Sequence, residues 1–233
     1  MIKQLMVFLL AGMSSVAGFA LPAAFNASYS VSKSGLTLGE MRVSLSYTNN
    51  RYAYHKSTRA TGLAAWLSGD KMIENADGKV HGNSIFPESY LFHHTSKRKD
   101  RKDQLQFVNP RLAKGSYKGR AYSIQVPGGT LDRAALELAL ARDLAAQKKS
   151  LTYSIVERGK LKTYHLTRQG VEKINIGGKN YHAEKIMVAR KGAARKTILW
   201  LAKELDYMPV KINHIEKGDA IVSNLKWFKF TGK

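Results

Sequence analysis

The feature that most constrains this chain is the alternation of apolar and polar residues that runs through most of it. The alternation begins at Ala27–Val31, repeats at Met41–Tyr47 and resumes at Tyr52–Tyr54. Successive side chains of a strand point to opposite faces of the sheet, and Ser34-Gly35 and Asn49-Asn50 are suited to tight turns. The pattern therefore predicts three antiparallel strands in a meander, with one solvent-exposed face and one buried face.

The pattern stays that of a β protein up to about residue 126. Asp77-Gly78 is a typical hairpin dipeptide, and the charged segment Lys97–Asp103 is predicted to be the turn between the strands Tyr90–His94 and Leu105–Val108. The apolar piece Thr61–Leu67 is too brief for an independent helix, so it is predicted to form one turn or a rim helix.

One convincing helix interrupts the strands, at about residues 131–147. Thr130 is suited to cap it, Asp132 falls in its first turn, and Lys148 follows its C-terminus, where a cation is favoured. Alanines and leucines dominate its interior and form a broad apolar stripe. The helix is expected to plug or cover the sheet.

Strands return after the helix, and the stretch Thr197–Asn213 is the clearest pair among them. Two apolar runs flank a short polar turn there, and Pro209 belongs at a strand start or edge because it has no amide hydrogen to donate. Trp200, Tyr207 and Val210 are expected to pack against something large. This pair has a structural role and carries no chemistry.

Many short strands around a single mid-chain helix predict a mainly β fold. We expect a large twisted antiparallel sheet that curls into a barrel or half-barrel, with the helix of about residues 131–147 packed on or in it. No internal repeat or flexible linker divides the chain, so residues 21–233 are predicted to form a single domain.

Residues 1–20 have the layout of a secretory signal peptide. Lys3 gives a positive start, an apolar run follows, and Gly18-Phe19-Ala20 suits cleavage after Ala20. The apolar run is short for a membrane span, which favours cleavage over the alternative of an uncleaved anchor. Without cysteine, disulfides, thiolate catalysis and Cys-ligated metal sites are excluded, and an exported chain of this kind fits a bacterial periplasm.

The formal net charge of +21 favours anionic partners. In the periplasm nucleic acid is not an expected partner, so we expect anionic lipid, lipopolysaccharide or cell-wall polymer, with the protein peripheral to the membrane. An envelope protein is a further possible partner.

The sequence contains no recognisable catalytic motif and predicts no catalytic residue, cofactor or metal. The S-x-x-K spacing at Ser30 and Ser96 falls in strand or turn, where the serine and lysine point to opposite faces. Adjacent His93 and His94 also point to opposite faces. His182 and Glu184 share a face, but two ligands are fewer than a stable metal site needs.

Two sets of residues are the candidate binding residues. Basic residues cluster in two places, either as solvated loops or as a docking face for anionic headgroups. The cations assigned to that face are Lys97, Arg98, Lys99, Arg101, Lys102, Arg195 and Lys196, with Arg190 and Lys191 beside the last two. Aromatic residues, Trp227 included, are predicted to be mostly core. If the sheet curls without filling, the residues predicted to line an apolar ligand cavity are Trp66, Tyr90, Phe92, Trp200 and Tyr207.

Several motifs resemble one bacterial family, the exported proteins of domain of unknown function 3108. The motifs that carry the resemblance are Gly35-Leu36-Thr37-Leu38-Gly39, the helix at Asp132, Tyr164 with Gly170-Val171-Glu172, and Trp200-Leu201-Ala202 through Asp206-Tyr207-Met208-Pro209-Val210. The resemblance covers nearly the whole mature chain and implies an antiparallel β envelope protein, similar to periplasmic lipoprotein carriers. It brings no activity and no catalytic residues, and this chain departs from it in its high positive charge.

Three classes of function remain open. The first is a non-enzymatic carrier with an apolar concavity for acyl chains and a basic rim for headgroups. The second is a solidly packed protein–protein or cell-wall-associated factor without a small ligand. The third is a hydrolase built from dispersed residues, which requires an acid–base pair in a cleft.

Overall fold

The computed structural model describes residues 21–189, 195–216 and 218–232. The predicted signal peptide, residues 1–20, lies outside the described residues, as do Arg190 and Lys191 of the second basic group. The side chain of Trp66 lies outside them as well.

The described chain forms fourteen strands, two α-helices and one short 3-10 helix. The strands of the first half are β1 (Phe25–Lys33), β2 (Leu36–Thr48), β3 (Arg51–Ala60), β4 (Lys71–His81), β5 (Ser84–Ser96), β6 (Lys99–Asn109), β7 (Leu112–Tyr117) and β8 (Arg120–Gln125). The strands of the second half are β9 (Leu151–Glu157), β10 (Lys160–Ile176), β11 (Lys179–Ala189), β12 (Arg195–Ala202), β13 (Met208–Glu216) and β14 (Asp219–Phe230). The helices are α1 (Gly62–Ser68) and α2 (Arg133–Ala145), and the 3-10 helix is Lys203–Leu205.

All fourteen strands belong to one antiparallel sheet, which confirms the predicted mainly β fold. The strand order is β8-β7-β6-β5-β4-β3-β2-β1-β14-β13-β12-β11-β10-β9, so β1 lies in the middle and two meanders run from it to the edge strands β8 and β9. The sheet curls in the manner of a barrel without closing into one. The segment that enters α2 covers part of the β9 edge, because Leu131 accepts a hydrogen bond from Val156 and donates one to Ser154.

Helix α2 lies inside the curve of the sheet and confirms the predicted mid-chain helix. Its alanines and leucines are buried on nearly all sides, with Leu138, Leu140 and Leu144 almost fully buried. The N-cap is Asp132, whose Oδ1 accepts a hydrogen bond from the amide of Ala135 at 2.8 Å. The expected cap at Thr130 is therefore wrong, since the Thr130 hydroxyl donates to the carbonyl of Pro127 instead.

Two predicted turns of the first half were placed wrongly. Asp77-Gly78 lies within β4, and the hairpin is at Gly82-Asn83. Gly78 is needed for a close approach: a Cβ there would lie 2.3 Å from the carbonyl oxygen of Phe86. The charged turn is only Lys97-Arg98, because β6 begins at Lys99 and buries Asp103.

The pair of strands expected around Thr197–Asn213 is confirmed as β12 and β13, joined by the 3-10 helix. Pro209 pairs with β12, and pairing of β13 with β14 begins only at Lys211, so the missing amide hydrogen disrupts no ladder on that side. Trp200, Tyr207 and Val210 are buried as expected.

One end of the curled sheet, here called the rim, carries α1 and the turns β1–β2, β5–β6 and β9–β10. The N-terminus of α2 points toward the rim and its C-terminus toward the opposite end, because β9 starts at that opposite end. No helix among the described residues is long and apolar enough to cross a membrane.

Candidate functional site

A group of charged side chains lies inside the curve of the sheet, between the N-terminus of α2 and the rim. We call this space the recess. Its charged residues are Lys56 on β3, Glu74 on β4, Arg133 and Glu137 on α2, and Glu157 at the end of β9.

Local patterning places these residues on the inner face. Lys56 follows Tyr52 and Tyr54 at alternate positions, and both tyrosines are buried. Glu74 precedes buried Ala76 in the same way. Arg133 and Glu137 stand at the i and i+4 spacing of a helix, which puts both on one side of α2. The charges therefore converge because the sheet curls around the helix.

Lys56 is the centre of one half of the charged cluster. Its Nζ lies 2.5 Å from Oε1 of Glu137 and 3.5 Å from Oε2 of Glu74. The hydroxyl of Tyr54 donates to Glu137 at 2.7 Å, and the hydroxyl of Tyr90 donates to Glu74 at 2.7 Å. Each carboxylate thus has both a cation and a neutral donor, as buried charges require.

Glu157 is the centre of the other half. It accepts hydrogen bonds from Lys162 and, at 3.2 Å, from the hydroxyl of Tyr164. Beside it the side chain of Asp103 accepts a hydrogen bond from the amide of Arg158 at 2.8 Å. A crevice of about 80 Å³ opens next to Glu157, and Val188 and Arg195 also line this crevice.

Arg133 differs from the other cations of the recess. Its nearest carboxylate oxygens, on Glu74 and Glu157, are both 3.8 Å away, which is longer than a hydrogen bond. It lies over the ring of Phe92 with 5.5 Å between the guanidinium carbon and the ring centre. The Arg133 side chain reaches toward strands on both sides of α2, and 40% of it is exposed. Its guanidinium is therefore within ion-pair distance of two carboxylates and hydrogen-bonded to neither.

Apolar side chains lie on the inner face of β11, β12 and β13. Leu199 pairs with buried Ile186 on one side and with Ile212 on the other, so these residues share the inner face. Val188 pairs with buried Leu166. Leu199, Ile212 and Val188 pack against the core but stay only half-buried. Half-buried aliphatic side chains therefore lie on the same inner face of the sheet as the charged residues, and Val188 lines the crevice beside Glu157.

The pKa values follow from this arrangement. Burial alone would raise the pKa of Glu74, but the charges of Lys56 and Arg133 outweigh burial and the pKa is lowered. For Glu157, burial is again outweighed, here by the hydrogen bond from Lys162 and the charge of Arg133, and the pKa falls to about 2. Both carboxylates are ionised at neutral pH, and neither is poised as a general acid.

The predicted cavity residues lie in different places. Tyr90 and Phe92 are brought to the recess, where Tyr90 is buried against Glu74. Trp200 is buried elsewhere: its Nε1 donates to Glu172 at 2.6 Å, and the side chains of Lys185 and Lys211 lie over its ring.

Tyr207 is not brought to the recess either. Tyr207 is buried in the turn between β12 and β13, at the end opposite the rim. Trp66 belongs to α1 at the rim, but its side chain lies outside the described residues.

The predicted basic face is only partly assembled. Lys97, Arg98 and Lys99 are exposed together at the rim, and exposed Lys102 lies on the outer face of β6. Arg101 points inward and stacks on Phe92 at 5.8 Å.

The second basic group begins β12. Arg195 pairs with Glu216 and borders the crevice beside Glu157, and Lys196 is exposed. Arg101 and Arg195 therefore face the recess more than an outer docking surface.

Three histidines, His93, His94 and His182, are paired with carboxylates. His182 bonds to Glu204 at 2.8 Å, and Glu184 bonds to Arg168 instead of to a shared ligand. Among the described residues, no three histidine, cysteine, aspartate or glutamate side chains are grouped to hold a metal ion.

Sequence reasoning missed the charged residues of the recess. The sequence does contain one signal for this site: Lys56 and Glu74 are charged residues at positions where the alternation of the strand predicts an inward-facing apolar side chain. What the local pattern does not contain is the meeting of β3, β4, β9 and α2 in one place.

Comparison with known proteins agrees with this architecture. The structure is similar to the crystal structure of a beta-barrel-like protein of domain of unknown function DUF1849 from Brucella abortus, with a TM-score of 0.63. The two chains are 8% identical, and the match covers 91% of this chain and 99% of that chain, so the likeness shows the fold alone. No curated protein matches the chain. A family model described as a protein of unknown function (DUF3108) matches residues 25–226. Since that match spans nearly all of the described chain, the protein belongs to the DUF3108 family.

Proposed function

We propose that this protein is a non-enzymatic envelope protein that binds an anionic amphiphile in the recess. Export to the periplasm, with cleavage after Ala20, is part of the same proposal. The headgroup would meet Arg133, and the chain would lie along the aliphatic wall formed by Val188, Leu199 and Ile212.

The observation that carries the proposal is the state of Arg133. Lys56 and Lys162 are hydrogen-bonded to carboxylates and Arg195 is paired with Glu216, whereas Arg101 stacks on Phe92. Arg133 has no hydrogen-bond acceptor in the described part of the chain and is 40% exposed. A guanidinium presents a planar set of donors that matches a carboxylate or phosphate, so it suits an anionic headgroup.

Features of the rim favour a membrane as the source of the amphiphile. Leu63 and Leu67 on α1 are 72% and 59% exposed, and Leu36 beside them is 71% exposed. The amide of Lys97 donates to the carbonyl of Ser68 at 3.0 Å, which places the cationic β5–β6 turn against α1. Exposed leucines next to cations suit an anionic bilayer surface, where each cation contributes about 1 kcal/mol.

Native mass spectrometry tests the proposal on protein purified from a periplasmic extract, before and after organic extraction. We expect a lipid-sized adduct that extraction removes. A clean apo mass, together with no oleate binding in the titration below, would overturn the proposal and favour the protein-partner alternative.

Titration calorimetry with oleate tests the role of Arg133. We expect Arg133→Gln to bind oleate at least about tenfold more weakly, since a charge-assisted contact is lost. Arg111→Gln is the matched control, because Arg111 is exposed at the end opposite the rim and should bind like the wild type. Monoolein has the same acyl chain without the charge, so its binding should be insensitive to Arg133→Gln. Equal oleate binding by both variants would contradict headgroup recognition in the recess.

A further inference from the structure

A second concave surface lies on the outer face of the sheet, across β14, β1, β2 and β3. It is a shallow groove of about 520 Å³. Small polar side chains form its floor, namely Asn26, Ser28, Ser44 and Ser57. Taller side chains form its walls, namely Glu40, Arg42, His55, Arg59 and Trp227.

Trp227 is the unusual member of this groove, since 52% of it is exposed. Period-two alternation would place it inward with buried Leu225, and the prediction that it belongs to the core is wrong. The reason is a bulge: Leu225 pairs with Tyr29 but Trp227 pairs with Ser28, so one extra residue turns Trp227 to the outer face. Bulges commonly re-aim a side chain in this way.

The polar residues of the groove offer both donors and acceptors. Glu40 holds Arg42 through two hydrogen bonds, at 3.0 and 3.2 Å, which fixes the Arg42 guanidinium beside the floor. Nδ1 of His55 lies 2.5 Å from Oδ1 of Asn75. Arg59 has no carboxylate within ion-pair distance among the described residues. The groove therefore holds one paired cation and one available cation.

We propose that this groove is a saccharide-binding site. A sugar ring presents an apolar C–H face, which fits the exposed face of an indole, and hydroxyl groups at its edge, which fit serine, asparagine and carboxylate partners. The available Arg59 favours a saccharide that carries a carboxylate. A bilayer surface fits less well, because the groove is concave and its floor is polar.

This inference goes beyond the proposed function and is independent of it. The groove lies on the outer face, whereas Arg133 and the recess lie on the inner face. Arg133→Gln should therefore leave saccharide binding unchanged, and Trp227→Ala should leave oleate binding unchanged. Failure of one proposal is thus distinguishable from failure of the other.

The test uses the three tryptophan indole N–H signals in a nitrogen–proton NMR spectrum of the labelled protein. The signal missing from Trp227→Phe identifies Trp227. The probes are a hyaluronan hexasaccharide, which carries glucuronate carboxylates, and the neutral hexamer of N-acetylglucosamine. We expect the Trp227 signal to shift with hyaluronan, and Trp227→Ala to bind at least about tenfold more weakly.

Matched variants complete the experiment. Phe86→Ala, which removes an aromatic ring of similar exposure on β5, should bind like the wild type. Arg59→Gln should weaken hyaluronan and leave binding of the neutral hexamer unchanged. The proposal is overturned if neither saccharide shifts the Trp227 signal, or if Trp227→Ala binds as tightly as the wild type. Equal loss in Phe86→Ala would likewise overturn it.

Discussion

Helix α2 divides the interior of this protein into two unlike halves. Around its C-terminal turns Leu138, Leu140 and Leu144 are almost fully buried and form the closed half, where the buried Asp143 is paired with Arg142 and Lys148. Around its first turn the interior is charged and open, with Arg133 and Glu137 facing Lys56, Glu74 and Glu157. The same helix thus completes a core at one end and borders a recess at the other.

The difference shows where stability and function are expected to reside. Burial of apolar surface is the dominant favourable contribution to folding, so the closed half should supply most of the stability. A buried ion pair is often no more stabilising than well-packed apolar residues of the same volume. The charged half is therefore weak as a source of stability, which favours a role in binding.

Leu144→Ala tests the closed half and should have the largest effect. Leu144 is fully buried, so truncation removes apolar contacts and leaves a cavity. We expect the free energy of unfolding to fall by about 3–4 kcal/mol, measured by urea denaturation. Leu136 is on the same helix but only half-buried, and Leu136→Ala should cost clearly less. Similar losses in the two variants would show that α2 is not the filled core of that half.

Glu74→Gln tests the charged half. It leaves Lys56 with Glu137 alone and takes one of two carboxylates from Arg133. We expect a loss of about 2 kcal/mol, less than for a buried pair whose cation is left without any partner, because Lys56 keeps Glu137.

The matched control is Glu88→Gln, which removes a carboxylate from an exposed cluster with Arg51 and Lys79. Its effect should stay within about 0.5 kcal/mol. If Glu74→Gln were as stable as this control, or destabilised the protein as much as Leu144→Ala, the two halves would not differ in the way proposed.

The closed half could be predicted from the sequence far better than the open one. Alternation and helix patterning depend on local spacing, and they located β1–β3, α2 and the pair β12–β13. The recess depends on Glu74 and Glu157 meeting Arg133 across a curled sheet, which no local pattern contains. The bulge beside Ser28 is another such case, because it reverses the face of Trp227 without a signal in the alternation.

Asp132→Asn tests the boundary between the two halves. Burial raises the pKa of this carboxyl to about 7 from a usual 3.8, and Oδ2 has no hydrogen-bond partner in the described structure. The folded state therefore holds a proton that the unfolded state releases, so Asp132 destabilises the fold progressively as pH rises from about 4 to 7. Asparagine keeps the cap without this titration.

The measurement is the unfolding free energy of wild type minus that of Asp132→Asn at a series of pH values. The difference should decline between about pH 4 and 7 and level off above that range. Parallel curves for wild type and Asp132→Asn would show that Asp132 is not held protonated at the N-cap of α2.

The smallest effect on stability is expected at the rim, where Leu63 and Leu67 are exposed on α1. Leu63→Ser combined with Leu67→Ser should change the unfolding free energy by no more than about 0.5 kcal/mol, because neither side chain contributes to the core.

The double variant should bind vesicles of phosphatidylglycerol and phosphatidylcholine at least about tenfold more weakly than the wild type, because the burial of both leucines in lipid is lost. Val108→Ser, equally exposed at the opposite end, should bind like the wild type. Added salt should weaken the wild type further, as the cations of the β5–β6 turn would be screened. Unchanged vesicle binding in the double variant would show that the rim is not the membrane-binding surface. The ligand of the recess would then have to come from solution.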